Sequence, residues 1–132
     1  MLKLEKIIGR VESGLGKGKY FVSLEPYYQQ FKDKLGIEPY KGTLNIRVNT
    51  AEFQGLIEDR ERIIINGFRT ETSTYGNVVA YKVKVNSVEA AILIPERTSH
   101  EKGLIEIISG INFGERFGLK EGDSVEICIN RN

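Results

Sequence analysis

The sequence predicts a mainly β fold, built as a small closed or nearly closed β structure with one or two short helices. Short apolar or alternating runs recur along the chain between Gly, Asn and Asp residues, which is the pattern of strands joined by tight turns. Helical spacing is clear over one stretch, Pro26–Gly36. A length of 132 residues is typical of a single domain, so we expect residues 1–132 to form one unit around one core.

Strands account for most of the predicted structure. In chain order they are Leu4–Glu12, Lys19–Ser23, Leu44–Val48, Arg62–Ile65, Phe68–Thr72, Val78–Val85, Val88–Ile94, Leu104–Ile108 and Ser124–Ile129. Asn66–Gly67 is predicted to join two of these strands through a type I′ turn, and Asn86–Ser87 to do the same further along the chain. The predicted fold therefore contains additional hairpin strands.

The predicted helix over Pro26–Gly36 begins at a proline, whose missing N–H costs nothing in the first turn, and ends at a glycine. Tyr27, Phe31 and Leu35 share one face at spacings of four residues, so we expect that face to pack on the strands. Shorter helical segments are predicted after Thr50 and over Glu115–Phe117.

Composition limits the possible partners and setting. The net charge of +1, from 19 basic and 18 acidic side chains spread along the chain, predicts no nucleic-acid or membrane partner. The single cysteine, Cys128, lies in a predicted strand and is expected to be a buried structural thiol, which fits a reducing cytoplasm. No apolar run approaches the roughly 20 residues of a membrane span, and the first residues do not resemble a signal peptide. The oligomeric state stays open, with a monomer favoured.

A glycine-rich segment, Ser13-Gly-Leu-Gly-Lys-Gly-Lys-Tyr20, predicts a nucleotide-binding loop. Glycines spaced by two allow sharp turns and bring backbone N–H groups close to a phosphate or a base. Lys17 and Lys19 add positive charge, and Tyr20 could close over a base or pack back on the barrel. The spacing is not that of a P-loop, and the glycine pattern alone also fits a flexible connection between strands.

The segment Pro39-Tyr-Lys-Gly-Thr-Leu-Asn45 predicts a magnesium site. Thr43 and Asn45 are two residues apart, so on a strand their oxygens point to one face while Leu44 and Ile46 point into the core. Mg²⁺ prefers such hard oxygen ligands and takes only one or two from the protein. The alternative is structural: Thr43 caps the preceding turn and Asn45 hydrogen-bonds a neighbouring loop.

Glu106 interrupts the apolar run Leu104–Ile108, and a charged side chain is not expected within a buried strand. Phosphoryl transfer needs a group that orients the attacking hydroxyl, and a carboxylate is suited to that task. The alternative is the solvent face of an edge strand. His100 has no partner at a diagnostic spacing and is expected to be an exposed loop residue, and one Cys with one His excludes a structural zinc site.

Across nearly its whole length the chain resembles the archaeal CTP-dependent riboflavin kinases. The resemblance rests on the glycine-rich segment with Phe21, and on Glu38–Asn45, Pro95–Thr98 with His100, Ile105–Ile107 and Phe117–Ile127. It implies a closed six-stranded-type β-barrel of the cradle-loop, riboflavin-kinase-like kind. It also implies Mg²⁺-dependent transfer of the terminal phosphate of CTP to the 5′-hydroxyl of riboflavin, giving FMN and CDP.

The resemblance also implies roles for individual residues. It makes Thr43 and Asn45 the metal ligands and Thr98 and Glu106 the riboflavin or FMN ligands, with Glu106 also the catalytic hydroxyl acceptor or base. The implied CTP/CDP ligands are Gly14, Leu15, Gly16, Lys17, Gly18, Lys19, Tyr20, Ile111, Asn112, Phe113, Gly114, Glu115 and Arg116. Members of the family often carry arginine where this chain has Gly114, so either Arg116 supplies that contact or it is absent.

Two other classes of function remain open at this point. The tail Phe117–Ile127 also resembles a turn-and-strand segment of swapped-hairpin DNA-binding proteins, but such a motif indicates a fold element and not an activity. DNA binding would require a clustered basic surface and steep salt dependence. The third possibility is a nucleotide-binding barrel without catalysis.

Overall fold

The structure is a computed structural model, and it describes residues 4–12, 22–40, 43–96 and 103–129. Its strands are β1 (Lys6–Glu12), β2 (Leu44–Arg47), β3 (Ile63–Ile65), β4 (Phe68–Arg69), β5 (Thr74–Tyr75), β6 (Val78–Val85), β7 (Val88–Pro95), β8 (Leu104–Ser109) and β9 (Ser124–Ile129). Its helices are α1 (Glu25–Gln30), which continues into a π-helical turn (Phe31–Leu35), α2 (Thr50–Ile57) and α3 (Phe113–Phe117).

Six antiparallel strands close into a barrel in the order β6-β7-β8-β2-β1-β9, with β9 pairing back onto β6. The long strand β6 makes this possible because its two halves have different partners. Val78–Ala80 pair with the additional strand β3, whereas Val83–Val85 pair with β9 and complete the ring. Strands β4 and β5 form a separate two-stranded ribbon. The predicted mainly β, closed six-stranded barrel is confirmed.

Inward-facing apolar residues fill the barrel. Ile46, Ile92 and Ile127 are fully buried there. Gly9 of β1 also faces inward, and a Cβ atom at this position would overlap the side chain of Ile46. Glycine at this position therefore allows β1 to approach β2 closely.

Helix α1 and its π-helical turn cover part of the barrel exterior. Tyr27, Phe31 and Leu35 are buried against outward-facing residues such as Leu93, as the spacing predicts. The segment ends at Gly36, whose φ of 69° is left-handed and is easily adopted only by glycine. A second apolar cluster thus lies between the barrel wall and α1.

The two shorter helices are present, and each begins at an asparagine cap. Asn49 accepts a hydrogen bond from the N–H of Glu52 at 3.0 Å, and Asn112 accepts one from the N–H of Glu115 at 3.1 Å. No helix among the described residues is long and apolar enough to cross a membrane.

Two predicted strands are corrected by the structure. Val22 and Ser23, from the predicted strand Lys19–Ser23, are helical because Val22 packs into the cluster under α1; residues 19–21 lie outside the described residues. The predicted strand Phe68–Thr72 ends at Arg69. A turn follows, in which the N–H of Thr70 donates to the carbonyl of Ser73 at 2.8 Å and leads the chain into β5. The remaining strands agree with prediction to within two residues at either end.

The predicted hairpin at Asn66–Gly67 is wrong, because β3 pairs with β6 and β4 pairs with β5. The loop is held instead by helix α1, because the side chain of Gln30 accepts from the N–H of Asn66 (2.7 Å) and donates to its carbonyl (2.9 Å). The turn at Asn86–Ser87 is confirmed, with left-handed φ values of 48° and 70° between β6 and β7.

Candidate active site

Three polar side chains stand next to one another across neighbouring strands and form what we call the polar row. Asn45 of β2 lies directly opposite Glu12 of β1 on one side and Glu106 of β8 on the other. Side chains at such opposed positions share a face of the sheet, with Cβ atoms about 4.5–5.5 Å apart. Ile46 and Ile105 point into the barrel, so the polar row points outward.

Thr43 comes directly before β2, two positions from Asn45. It borders a small pocket of about 100 Å³. The other residues that line this pocket are Tyr40, Leu44, Ile107, Ser109, Ile111, Asn112, Phe113 and Gly114. The structure therefore brings one predicted magnesium ligand together with the first part of the predicted nucleotide segment.

In the segment Ile111–Arg116, some side chains are used in packing and helix capping, and others are free to contact a ligand. Phe113 is only 5 % exposed and packs in the barrel core, so its side chain anchors the segment. Only the backbone of Phe113 can therefore contact a ligand. The Asn112 side chain caps α3. Arg116 is exposed and its guanidinium lies over the Phe117 ring, 5.9 Å from the centroid. Arg116 is thus available to an anion from solvent.

Gly114 opens the edge of the small pocket. A Cβ atom there would lie 3.2 Å from the capping oxygen of Asn112, which is a tight contact. A larger residue at this position would press on the cap of α3. Glycine leaves the cap undisturbed and the pocket wider on this side.

Glu106 lies on a central strand, since β8 pairs with β2 on one side and with β7 on the other. The alternative explanation, the solvent face of an edge strand, is therefore wrong. Its carboxylate is half-buried beside Leu93 and makes no hydrogen bond or ion pair with any described residue. Half-buried carboxylates without a protein partner are uncommon in the middle of a sheet, and a ligand is a common reason for one.

The donor set fits Mg²⁺. Thr43 offers a hydroxyl and Asn45 an amide oxygen, and neither side chain has a hydrogen-bond partner among the described residues. In the same part of the chain no three His, Cys, Asp or Glu side chains form a metal-binding group. Mg²⁺ commonly takes one or two protein oxygens and completes its octahedron with waters and phosphate oxygens, which matches this arrangement.

Sequence reasoning missed an ion pair at the end of the polar row. Arg47 donates from Nε to Oε2 of Glu12 at 2.7 Å and from Nη2 to Oε1 at 2.8 Å, and both side chains are about one third exposed. These hydrogen bonds, helped by the charge of Arg47, lower the pKa of Glu12. The pair connects the last residue of β1 to the strand that carries Asn45. No motif reveals it because it depends on the β1–β2 register.

We expect Glu12→Gln to remove a pH-dependent part of the stability. Because Arg47 lowers the folded pKa of Glu12 below its ordinary value of 4.5, the contribution is complete above about pH 4.5 and is lost as pH falls through the folded pKa. Urea unfolding should therefore separate wild type from Glu12→Gln at neutral pH and much less at about pH 3. In an Arg47→Met background the same substitution should have little effect at either pH. If Glu12→Gln changed the free energy of unfolding equally with and without Arg47, the ion pair would not be the source of this stability.

A larger groove adjoins the small pocket and was also missed. Its volume is about 680 Å³, and Tyr40, Ser109 and Ile111 line both cavities. The rest of its lining is formed by Tyr28, Gly36, Ile37, Glu38, Pro39, Val88, Glu89 and Gly110. Tyr40, the single aromatic residue in Glu38–Asn45, is the one sequence signal that could have pointed to it.

Several predicted residues lie outside the described part of the chain: the segment 14–20, Thr98 and His100. Cys128 is described, on β9, and is half-buried where a buried thiol was expected. Its Sγ donates to Oε1 of Glu126 at 3.3 Å. Burial, together with this hydrogen bond, raises the pKa of the thiol, which disfavours the reactive thiolate.

Comparison with known families agrees with this geometry. Residues 11–129 match the family model CTP-dep_RFKase, described as "Domain of unknown function DUF120". The chain belongs to the CTP-dependent riboflavin kinase family. The matched range contains every predicted site residue, five of the six barrel strands in full, and the last two residues of β1.

Curated relatives in this family include archaeal proteins named riboflavin kinase. The chain is 46 % identical over 126 residues to that of Archaeoglobus fulgidus, covering 94 % of this chain and 54 % of the relative. It is 46 % identical over 121 residues to that of Methanocella arvoryzae (92 % and 55 %) and 44 % identical over 123 residues to that of Pyrococcus furiosus (92 % and 57 %). The chain thus spans little more than half the length of these relatives.

Proposed function

We propose that this chain is a CTP-dependent riboflavin kinase that transfers the terminal phosphate of CTP to the 5′-hydroxyl of riboflavin with Mg²⁺. The observation that carries the proposal is the register that sets Asn45 directly opposite Glu106. A metal ligand for the donor phosphate and a carboxylate for the acceptor hydroxyl need to be close neighbours, and these two residues are. Membership of the family supplies the identities of donor and acceptor.

The two substrates would approach the polar row from opposite ends of the strands. Thr43 and the segment after β8 lie at one end, beside the small pocket, and would hold the nucleotide. The last residue of β7 and the first residue of β8, which flank Thr98 in the sequence, lie at the other end, and riboflavin would enter there. Such an arrangement aligns the attacking oxygen and the phosphate, which is the main requirement of phosphoryl transfer.

Each residue then has a definite task. Thr43 and Asn45 would hold Mg²⁺, which supplies charge neutralisation on the transferring phosphate when bound. Glu106 would accept the hydrogen bond of the 5′-hydroxyl, directing a lone pair of the oxygen toward the terminal phosphorus and receiving the hydroxyl proton as the new bond forms. The bond from that phosphorus to the bridging oxygen of CTP would break at the same time, and CDP would leave with the oxygen. The half-buried position of Glu106 limits competition from water.

The test is a phosphoryl-transfer assay with riboflavin, Mg²⁺ and each of CTP, ATP, GTP and UTP, with FMN separated by chromatography. We expect FMN chiefly with CTP, and none after removal of Mg²⁺ with a chelator. Failure of all four donors to give FMN, from protein shown to be folded, would contradict the proposal. Binding of CDP without any transfer would instead favour a nucleotide-binding barrel without catalysis.

A further inference from the structure

Glu12 stands in the polar row beside Asn45, yet the proposed reaction gives it no task. It is the last residue of β1 and lies directly opposite Asn45, while Glu106 lies opposite Asn45 on the other side. Residues opposed in this way have Cβ atoms about 4.5–5.5 Å apart, and their side chains leave the sheet on the same face. The carboxylate of Glu12 is therefore a close neighbour of the Mg²⁺ that Asn45 would hold.

The two carboxylates that flank Asn45 differ in how they are held. Arg47 donates to both oxygens of Glu12, from Nε at 2.7 Å and from Nη2 at 2.8 Å, whereas Glu106 makes no hydrogen bond or ion pair with any described residue. A two-point contact of this kind fixes the plane of a carboxylate as well as its position. Glu12 is thus a fixed acceptor, and Glu106 can turn toward the hydroxyl of the second substrate.

Glu12 keeps acceptor capacity after this pairing. An ionised carboxylate has about four lone-pair sites, and the two hydrogen bonds from Arg47 use one on each oxygen. The Glu12 side chain is 35 % exposed, so water reaches the remaining sites. Bound Mg²⁺ retains several waters, and these polarised waters donate hydrogen bonds to nearby carboxylates. Glu12 can therefore contact the hydrated ion without being one of its direct ligands.

The charge of Arg47 makes this position suitable for a carboxylate. A carboxylate without a cation at this point would attract Mg²⁺ but would also repel the phosphate oxygens bound to the ion. The guanidinium beside Glu12 offsets that repulsion and leaves the directional hydrogen bonds in place. The ion pair is therefore compatible with a metal–nucleotide complex as well as with the metal.

We propose that Glu12, held by Arg47, is a positioning residue for Mg²⁺: it accepts hydrogen bonds from metal-bound waters and so holds the hydrated ion against Asn45. This role rests on the proposed function, because it concerns the same metal site. Neither Glu12 nor Arg47 is a direct metal ligand or a proton acceptor in it. The ion pair thus acts in metal binding as well as in the stability of the β1–β2 contact.

The test measures metal affinity and not activity. Mn²⁺, as a probe for Mg²⁺, is titrated into the protein with CDP present and followed by electron paramagnetic resonance, with a protein-free titration to account for Mn²⁺ held by the nucleotide alone. Glu12→Gln should weaken Mn²⁺ binding about tenfold, the usual lower bound for a group that supports a metal site. Arg47→Lys keeps the charge but loses the two-point contact, so it should weaken binding by a smaller factor.

Glu126→Gln is the matched control, because it removes a carboxylate from an ion pair with Lys6 on another part of the barrel. It should bind Mn²⁺ as wild type does. Unchanged Mn²⁺ affinity in folded Glu12→Gln would overturn the proposed role.

A second measurement separates this role from a purely structural one. A structural role would disturb the β1–β2 contact and so weaken CDP binding even after a chelator has removed the metal. We expect wild type and Glu12→Gln to bind CDP equally in the presence of chelator, as followed by the shifts of backbone amide signals in nuclear magnetic resonance. Equal weakening of CDP binding with and without metal would overturn the inference.

Failure of this inference differs from failure of the proposed function. Wild-type protein that binds no Mn²⁺ with CDP and forms no FMN would overturn the proposed function. Mn²⁺ binding that is weakened by Asn45→Ala but not by Glu12→Gln would overturn the role of Glu12 alone. If Glu12→Gln does not fold at neutral pH, Arg47→Lys decides the question: weaker Mn²⁺ binding with unchanged metal-free CDP binding supports the role, and unchanged Mn²⁺ binding excludes it.

Discussion

Asn45→Ala is expected to lower the rate of FMN formation roughly 100-fold or more at limiting Mg²⁺ while leaving the barrel folded. Loss of a residue that only supports a metal ligand costs about 10–100-fold, so loss of a ligand should cost at least as much. Folding should be little affected, because the side chain is half-buried on the outer face and makes no hydrogen bond with a described residue. The measurement is FMN formation against Mg²⁺ concentration.

A binding measurement shows whether the lower rate of Asn45→Ala comes from weaker metal binding. Mn²⁺, used as a probe for the Mg²⁺ site and followed by electron paramagnetic resonance in the presence of CDP, should bind more weakly to Asn45→Ala than to wild type. Asn49→Ala is the matched control, since it removes the α2 cap at a cost of about 1 kcal/mol in stability but touches no site residue. Unchanged Mn²⁺ affinity and unchanged Mg²⁺ dependence in Asn45→Ala would remove Asn45 from the metal site.

Glu106→Gln is the second large change, and we expect a fall in kcat of about 10²–10⁴-fold with little change in CDP affinity. The amide keeps the size of the side chain and can still contact the hydroxyl, but it cannot receive a proton. The effect should therefore appear in kcat and not in the nucleotide dissociation constant. Steady-state kinetics and CDP titration on the same preparation give both quantities.

Glu126→Gln is a suitable control because it makes the same change on another strand of the barrel, at a half-exposed position facing Lys6. It should retain wild-type kcat. A Glu106→Gln protein with undiminished kcat would show that the hydroxyl is oriented by another group. The proposal that Thr43 and Asn45 hold Mg²⁺ would not be affected, since it does not depend on the carboxylate of Glu106.

The two outcomes together test the polar row as a unit. Asn45 and Glu106 are opposed in register, so a double variant should lose less than the product of the two single losses if both act on the same transferring phosphate. Multiplicative losses would mean that the two side chains act independently.

Local sequence was sufficient to predict those elements whose structure depends only on neighbouring residues. Alternation and turn residues predicted the long strands β6 and β7 and their turn, because side-chain period and left-handed turn geometry are properties of neighbouring residues. The proline start of α1, the glycine that ends its π-helical turn, and the buried face that the two share were predicted for the same reason. Thr43, Asn45 and Glu106 were identified as candidates from residue type, spacing and the family resemblance.

Long-range contacts explain what was wrong or missed. Asn66–Gly67 has hairpin residues, yet its backbone bonds to Gln30, 36 residues away. The ion pair of Glu12 with Arg47 spans 35 residues and exists only in one β1–β2 register. The groove likewise brings together residues 36–40, 88–89 and 109–111, which are distant in sequence.

The sequence by itself determined the mainly β class, the positions of most strands and the amphipathic helix, because side-chain alternation, helical spacing and turn chemistry operate over a few residues. The candidate ligands came from residue type and spacing together with the family resemblance. Tertiary structure alone decided that β6 divides its pairing and closes the barrel, that Glu106 lies on a central strand, and that Asn45 stands beside it. The physical reason is strand register: a shift of one residue would turn each of these side chains to the other face, and register depends on packing across the whole barrel.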